Sequence, residues 1–136
     1  GTYAGNPVAC AAAHAVLDVI KDEELCARSQ AIGKIITDRL KQIKERSNLN
    51  CIGDIRGLGA MCALELVKNA TSHEPDAALT ANLLKAANER GLILLSCGSY
   101  GNVIRFLVPL TASDALVNEG MDIFAESLVD AVGRTA

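Results

Sequence analysis

The chain has 136 residues, half of them hydrophobic but only 3% aromatic, and carries a net charge of −3. That length suits one domain, and the composition is globular rather than disordered. No basic cluster is dense enough to hold a phosphate backbone, no apolar run approaches a membrane span, and no secretory signal is visible at the start, which disfavours nucleic-acid, membrane-spanning and secreted readings.

The first element follows the turn-like Gly1-Thr2-Tyr3-Ala4-Gly5. Asn6 is a plausible N-cap and Pro7 suits the first helical position, so a helix is expected from there to Ile20. Its residues are small on every side, and such helices pack closely on more than one side. A free-standing domain would leave one of those sides exposed. A second helix is expected over Glu23–Arg46, with Leu25, Ile32, Ile36, Leu40 and Ile43 on one face and Lys34, Asp38, Lys41 and Glu45 on the other. Acidic residues at its start and Lys44 and Arg46 at its end suit the helix dipole.

After a loop at Ser47–Asn50, Cys51–Arg56 reads as a strand, Gly57-Leu58-Gly59 as a bend and Ala60–Val67 as a second strand. The breaker-rich Asn69–Pro75 is a loop. Asp76–Arg90 reads as a helix with Leu79, Leu83 and Ala87 inward and Gly91 as its C-cap. Leu92–Leu95 is expected as a strand, Ser96–Asn102 as a glycine-rich connection and Val103–Leu107 as the last strand, ended by Pro109. Ser113 caps a final helix to about Val132, with Leu116, Ile123 and Leu128 inward. Strands separated by helices predict a two-layer α/β (α+β) sandwich with the helices on one face of the sheet.

Few residues stand out chemically. Arg105 lies in the apolar run Val103-Ile104-Arg105-Phe106-Leu107, where partial burial would oblige its guanidinium to find an anion. That anion is either a ligand carboxylate or a carboxylate of the chain, with Glu65 and Asp54 as candidates. Arg56, at a strand end, reads as a turn anchor. Thr2, a hydroxyl in a glycine-flanked loop ahead of a helix, suits an anion such as phosphate; helix entry alone would also explain the stretch. Cys10, Cys26, Cys51, Cys62 and Cys97 form no C-x-x-C pair and read mostly as buried free thiols in a reducing compartment. Cys97 lacks a nearby His that would make it a nucleophile, and His14 and His73 lack metal-ligand spacing. No complete catalytic constellation is present.

Three stretches carry a resemblance: Gly1-Thr2-Tyr3-Ala4-Gly5-Asn6-Pro7 with the alanines after it, Asp54-Ile55-Arg56-Gly57-Leu58-Gly59-Ala60-Met61, and Ser96 through Leu110. In order and over nearly the whole chain, they resemble the C-terminal third of class III pyridoxal-phosphate aminotransferases. The last stretch is most similar to the bacterial members that act on 4-aminobutyrate. The resemblance implies the small C-terminal domain of the fold type I architecture, a small, mostly antiparallel sheet with helices on one face. It divides the chain into a junction loop and Ala-rich helix, 1–22, and the small domain proper, 23–136.

The resemblance also implies roles. Thr2 stands where the family binds the cofactor phosphate of the neighbouring subunit of a homodimer, and Arg105 where it binds the carboxylate of the amino donor or oxo acid. A bidentate guanidinium–carboxylate pair suits that task. The Schiff-base lysine, the acid that pairs with the cofactor ring, the gating glutamate and the second substrate arginine belong to the family's large domain. The chain is therefore expected to be inactive alone, with no catalytic residue or metal of its own, and to leave an apolar junction surface that self-associates. The implied reaction passes the amino group of 4-aminobutyrate to 2-oxoglutarate in the cytoplasm. Alternatives are another donor such as ornithine or acetylornithine, a non-catalytic amino-acid-binding or association module, and a pyridoxal-phosphate decarboxylase or racemase. An exposed first helix and an Arg105–Glu65 pair would favour the non-catalytic module.

Overall fold

A computed structural model describes residues 1–45 and 49–135. Eight elements follow one another: α1 Pro7–Asp22, α2 Leu25–Glu45, β1 Ile52–Leu58, β2 Met61–Leu66, α3 Ala77–Glu89, β3 Leu95–Cys97, β4 Val103–Leu107 and α4 Asp114–Thr135. The expected extension of the second helix to Arg46, and residues 47 and 48 of the loop after it, lie outside the described residues.

The four strands form one antiparallel sheet in the order β1-β2-β4-β3. Alternation along β2 and β4 turns Cys62, Leu64, Leu66, Ile104 and Phe106 to one face. That face meets Ile32, Ile36, Leu40 and Ile43 of α2, Leu79 and Leu83 of α3, and Val117, Met121, Phe124 and Leu128 of α4. Phe106 and Phe124 close the core edge to face, with ring centroids 5.2 Å apart at 71°. The two-layer α/β sandwich with helices on one face is the fold expected from the element order.

Local chemistry sets several boundaries. Asn6 Oδ1 accepts from the N–H groups of Val8 and Ala9, at 2.9 and 3.3 Å, and Pro7 opens α1. At the end of α3, Gly91 (φ +83°) lets its own N–H reach Asn88 O and that of Leu92 reach Ala87 O, the two bonds of a Schellman motif. Ser113 Oγ accepts from the Leu116 N–H and caps α4. Asn102 Nδ2 donates to Leu66 O at 2.8 Å while Leu66 N–H donates to Asn102 O, so a side chain extends the β2–β4 ladder by one step.

Some expectations are corrected. β1 runs through Gly57 and Leu58, and the bend falls at Gly59–Ala60. The third strand is Leu95–Cys97, not Leu92–Leu95. The pairing with β4 starts at Leu95↔Arg105 and ends at Cys97↔Val103, so the strand takes in the first two residues after Leu95 and leaves out the three before it. Leu116 faces solvent; Val117 and Met121 take the inward positions of that stripe, and Ile123 is only half-buried, as is Leu25 in α2. Of the five thiols, Cys51 and Cys62 are buried, Cys97 is half-buried, and Cys10 and Cys26 are exposed. Burial pushes the Cys51 and Cys62 thiols up, so they are poor nucleophiles.

Two surfaces remain open. α1 buries none of its residues. The sheet face opposite the core carries Arg56 and Leu58 of β1, Met61, Ala63 and Glu65 of β2, Leu95 of β3, and Arg105 and Leu107 of β4.

Candidate functional site

Register arranges the open sheet face in rows. Arg56 lies opposite Ala63, Ala63 opposite Arg105, and Arg105 opposite Leu95. The two guanidinium-bearing strands thus flank the smallest side chain of the row. The next row, Leu58–Met61–Leu107, is apolar and more than half exposed at each position. On the other side Glu65 lies opposite Val103, diagonal to both arginines.

The two arginines differ sharply in their partners. Arg56 Nη1 donates to Asp54 Oδ2 at 2.7 Å and to Glu65 Oε2 at 3.1 Å. The bonds to Asp54 and then Glu65 raise the Arg56 pKa further above its ordinary value. The Arg105 side chain makes no hydrogen bond or ion pair among the described residues. The expectation of a partly buried Arg105 is corrected: its side chain stands on the exposed face, because the core takes Ile104 and Phe106 on either side of it. The expected alternative partners, Glu65 and Asp54, both belong to Arg56. Arg56 in turn bridges carboxylates on two strands rather than anchoring a turn. The Arg105–Glu65 pair that would favour a non-catalytic module is absent among the described residues; the exposed first helix is present.

Arg105 also lines an open groove of about 340 Å³ with Leu92, Leu95, Leu107, Val117 and Met121. It is the one cation of that lining, and Glu119 is the one acid. An aliphatic acid would find a charged head partner and apolar walls there.

Thr2 lies apart from this face in sequence, in the turn ahead of α1. Ala4 N–H donates to Gly1 O, Asn6 N–H donates to Tyr3 O, and Gly5 has φ +78°. The Thr2 hydroxyl makes no hydrogen bond among the described residues. The helix terminus beside it is not an open anion site, since Asn6 Oδ1 already takes the Val8 and Ala9 donors. The turn therefore offers a phosphate the free hydroxyl of Thr2 and little from the helix. Lys21, Lys34, Lys41, Lys44, Lys68 and Lys85 are all exposed, and Lys34, Lys44 and Lys68 are bonded to Asp38, Gly53 O and Glu74. Toward the phosphate of a pyridoxal phosphate this turn would contribute the Thr2 hydroxyl alone.

Sequence reasoning missed Asn102 as a structural residue. It is buried, braces Leu66, and places its Nδ2 3.5 Å from Glu65 Oε1. Its position directly before an apolar strand was the available signal.

The sheet, its helical layer and the two motif-bearing edges define a domain of the aminotransferase kind. The sequence profile of the family "Aminotransferase class-III" matches residues 1–128, and the chain belongs to that family. It is 50% identical over 130 residues to the 5-aminovalerate aminotransferase DavT of Pseudomonas putida, a match covering 96% of this chain and 30% of the relative. It is 52% identical over 128 residues to the probable 4-aminobutyrate aminotransferase of Bacillus subtilis, covering 94% of this chain and 29% of the relative. Among solved structures, a transaminase from the marine bacterium Virgibacillus superposes with a TM-score of 0.87 at 28% identity, over 100% of this chain and 31% of that one. The chain thus spans about 30% of the length of the curated relatives it matches. Among the described residues, no helix is long and apolar enough to cross a membrane.

Proposed function

We propose that the chain is the C-terminal part of a pyridoxal-phosphate-dependent ω-amino acid aminotransferase that moves the amino group of 4-aminobutyrate to 2-oxoglutarate, giving succinate semialdehyde and glutamate. The observation that carries this reading is Arg105, a guanidinium at the centre of an open sheet face, unpaired among the described residues beside a neighbour whose acids are fully engaged. It is poised to bind the carboxylate of glutamate or 2-oxoglutarate bidentately, and the apolar row beside it accommodates methylenes.

Thr2 would hold the cofactor phosphate through its hydroxyl, across the interface of a homodimer. When bound, pyridoxal phosphate supplies the electron-accepting ring needed for amino transfer. In this reading the large domain supplies the lysine, and residues 1–22 form the junction to it while residues 23–136 form the small domain. The isolated chain is then inactive, and the enzyme works in the cytoplasm. The names of the Pseudomonas relatives favour a second donor, 5-aminovalerate, one methylene longer. A hydrophobic pocket distinguishes one methylene by only about 10–200-fold.

The test is steady-state kinetics of the full-length enzyme with Arg105→Met. Losing a charge-assisted pair costs about 1.5–3 kcal/mol, so kcat/KM for 2-oxoglutarate should fall by roughly 10–100-fold. An unchanged kcat/KM for 2-oxoglutarate would remove Arg105 from substrate binding. Comparing the two donors on the unaltered enzyme decides between 4-aminobutyrate and 5-aminovalerate.

A further inference from the structure

Glu65 has a choice of two arginines. It sits on β2 two residues from Ala63, and Ala63 is the register partner of both Arg56 on β1 and Arg105 on β4. Glu65 is therefore diagonal to each, at a separation of about 7–8 Å that long side chains span. Its carboxylate goes to Arg56. Oε2 accepts from Arg56 Nη1 at 3.1 Å, and Oε1 faces Asn102 Nδ2 at 3.5 Å. Asn102 is itself fixed by its bond to Leu66 O. Asp54 accepts from the same Nη1 at 2.7 Å, so two carboxylates hold one guanidinium nitrogen.

We propose that Arg56 is a positioning residue which, by holding Glu65 away from Arg105, keeps Arg105 free for the incoming carboxylate. This rests on the reading of Arg105 as the carboxylate-binding residue. Without the Arg56 guanidinium, Glu65 and Asp54 are two adjacent anions with one arginine within reach. Glu65 then pairs with Arg105 and competes directly with the substrate. Such a competitor raises KM for the oxo acid but is displaced at saturation, so kcat is retained. The one small side chain between the arginines, Ala63, leaves the path from Glu65 to Arg105 open.

The experiment uses the full-length enzyme and reads KM and kcat for 2-oxoglutarate in four variants. Arg56→Gln should raise KM about fivefold, the range of an exposed ion pair, with kcat retained. Adding Glu65→Gln to Arg56→Gln should return KM to the unaltered value, although the protein now lacks both charges. Glu65→Gln alone should leave KM unchanged or lower, and it tests the same competition if Arg56→Gln does not fold. An unchanged KM in Arg56→Gln, a double variant no better than the single, or a raised KM in Glu65→Gln each overturns the proposal. Arg105→Met separates the two readings. If it leaves KM unchanged, the assignment of Arg105 fails and this proposal with it; if it raises KM while Arg56→Gln does not, only the positioning role fails.

Discussion

A missing methyl group decides how closely helix α2 approaches the β1–β2 hairpin. A Cβ built on Gly33 would lie 2.0 Å from the carbonyl oxygen of Gly59, and one on Gly59, at φ +55°, would lie 2.3 Å from Ser29 Oγ. The same Ser29 Oγ accepts from the Ala60 N–H at 2.9 Å, so the turn is fastened where it touches the helix. Intrinsic helix propensity favours Gly33→Ala by about 1 kcal/mol. Contact with a backbone atom reverses the sign, since overpacking a closed site costs about 1–3 kcal/mol. Equilibrium urea unfolding should therefore show Gly33→Ala destabilised by about 2 kcal/mol, while Gln30→Ala on the exposed face stays within about 0.5 kcal/mol of the parent. A stabilised Gly33→Ala would mean that the hairpin moves aside without cost. At this scale the sequence was legible in type but not in partnership. Arg105, Glu65, Asp54 and Arg56 all stood out as charges among apolar residues, yet their pairing depends on a register that only the folded sheet defines. Arg105 was expected half-buried because its neighbours are apolar, and alternation places it on the face the core does not use.

Helices were more legible than strands because their ends carry chemistry in the sequence. Asn6 and Ser113 show this for α1 and α4, and α3 is closed in the same way by a residue whose capping role the sequence reading did not single out: Asp76 Oδ1 accepts from the Leu79 N–H at 2.8 Å, and Thr80 Oγ1 donates back to the Asp76 carbonyl. Asp76→Ala removes the cap and should cost about 0.5–2 kcal/mol in urea unfolding, whereas Asp76→Asn, which keeps an acceptor, should be nearly neutral. Equal losses in the two variants would show that the charge of Asp76, not its capping bond, matters. The helical stripe misleads where a helix meets the core near its first turn, so Leu116 read as inward while Val117 takes that place. β3 was harder still. Leu92–Leu95 is the more apolar stretch, yet the pairing with β4 runs over Leu95–Cys97, a register that β3's own sequence does not display.

Across the whole molecule, one layer is finished and another is not. The core between sheet and helices is complete, while Leu58, Met61 and Leu107 form an exposed apolar row and α1 stands without buried residues. Both surfaces suit cover by the large domain and partner subunit of the proposed enzyme, and patches of that kind favour association when bare. The finished layer is tied at its far end by charges. Arg90 at the end of α3 donates to Asp130 of α4 at 3.1 Å, and Arg134 reaches Asp130 at 2.9 Å and Glu89 of α3 at 3.0 Å. The Arg134 bond, reinforced by Arg90, lowers the Asp130 pKa below its ordinary 3.8, and Lys34 does the same for Asp38. A carboxyl with a depressed folded pKa adds stability that is fully present above its unfolded value and is lost as pH falls through the folded one. Stability should therefore decline on acidification below about pH 3.8, and Asp130→Asn should flatten that decline without changing its slope near neutrality. Urea unfolding of both proteins across that range provides the measurement. Parallel curves would show that Asp130 is exposed enough for solvent to cancel its two arginines, leaving the α3–α4 contact to apolar packing alone.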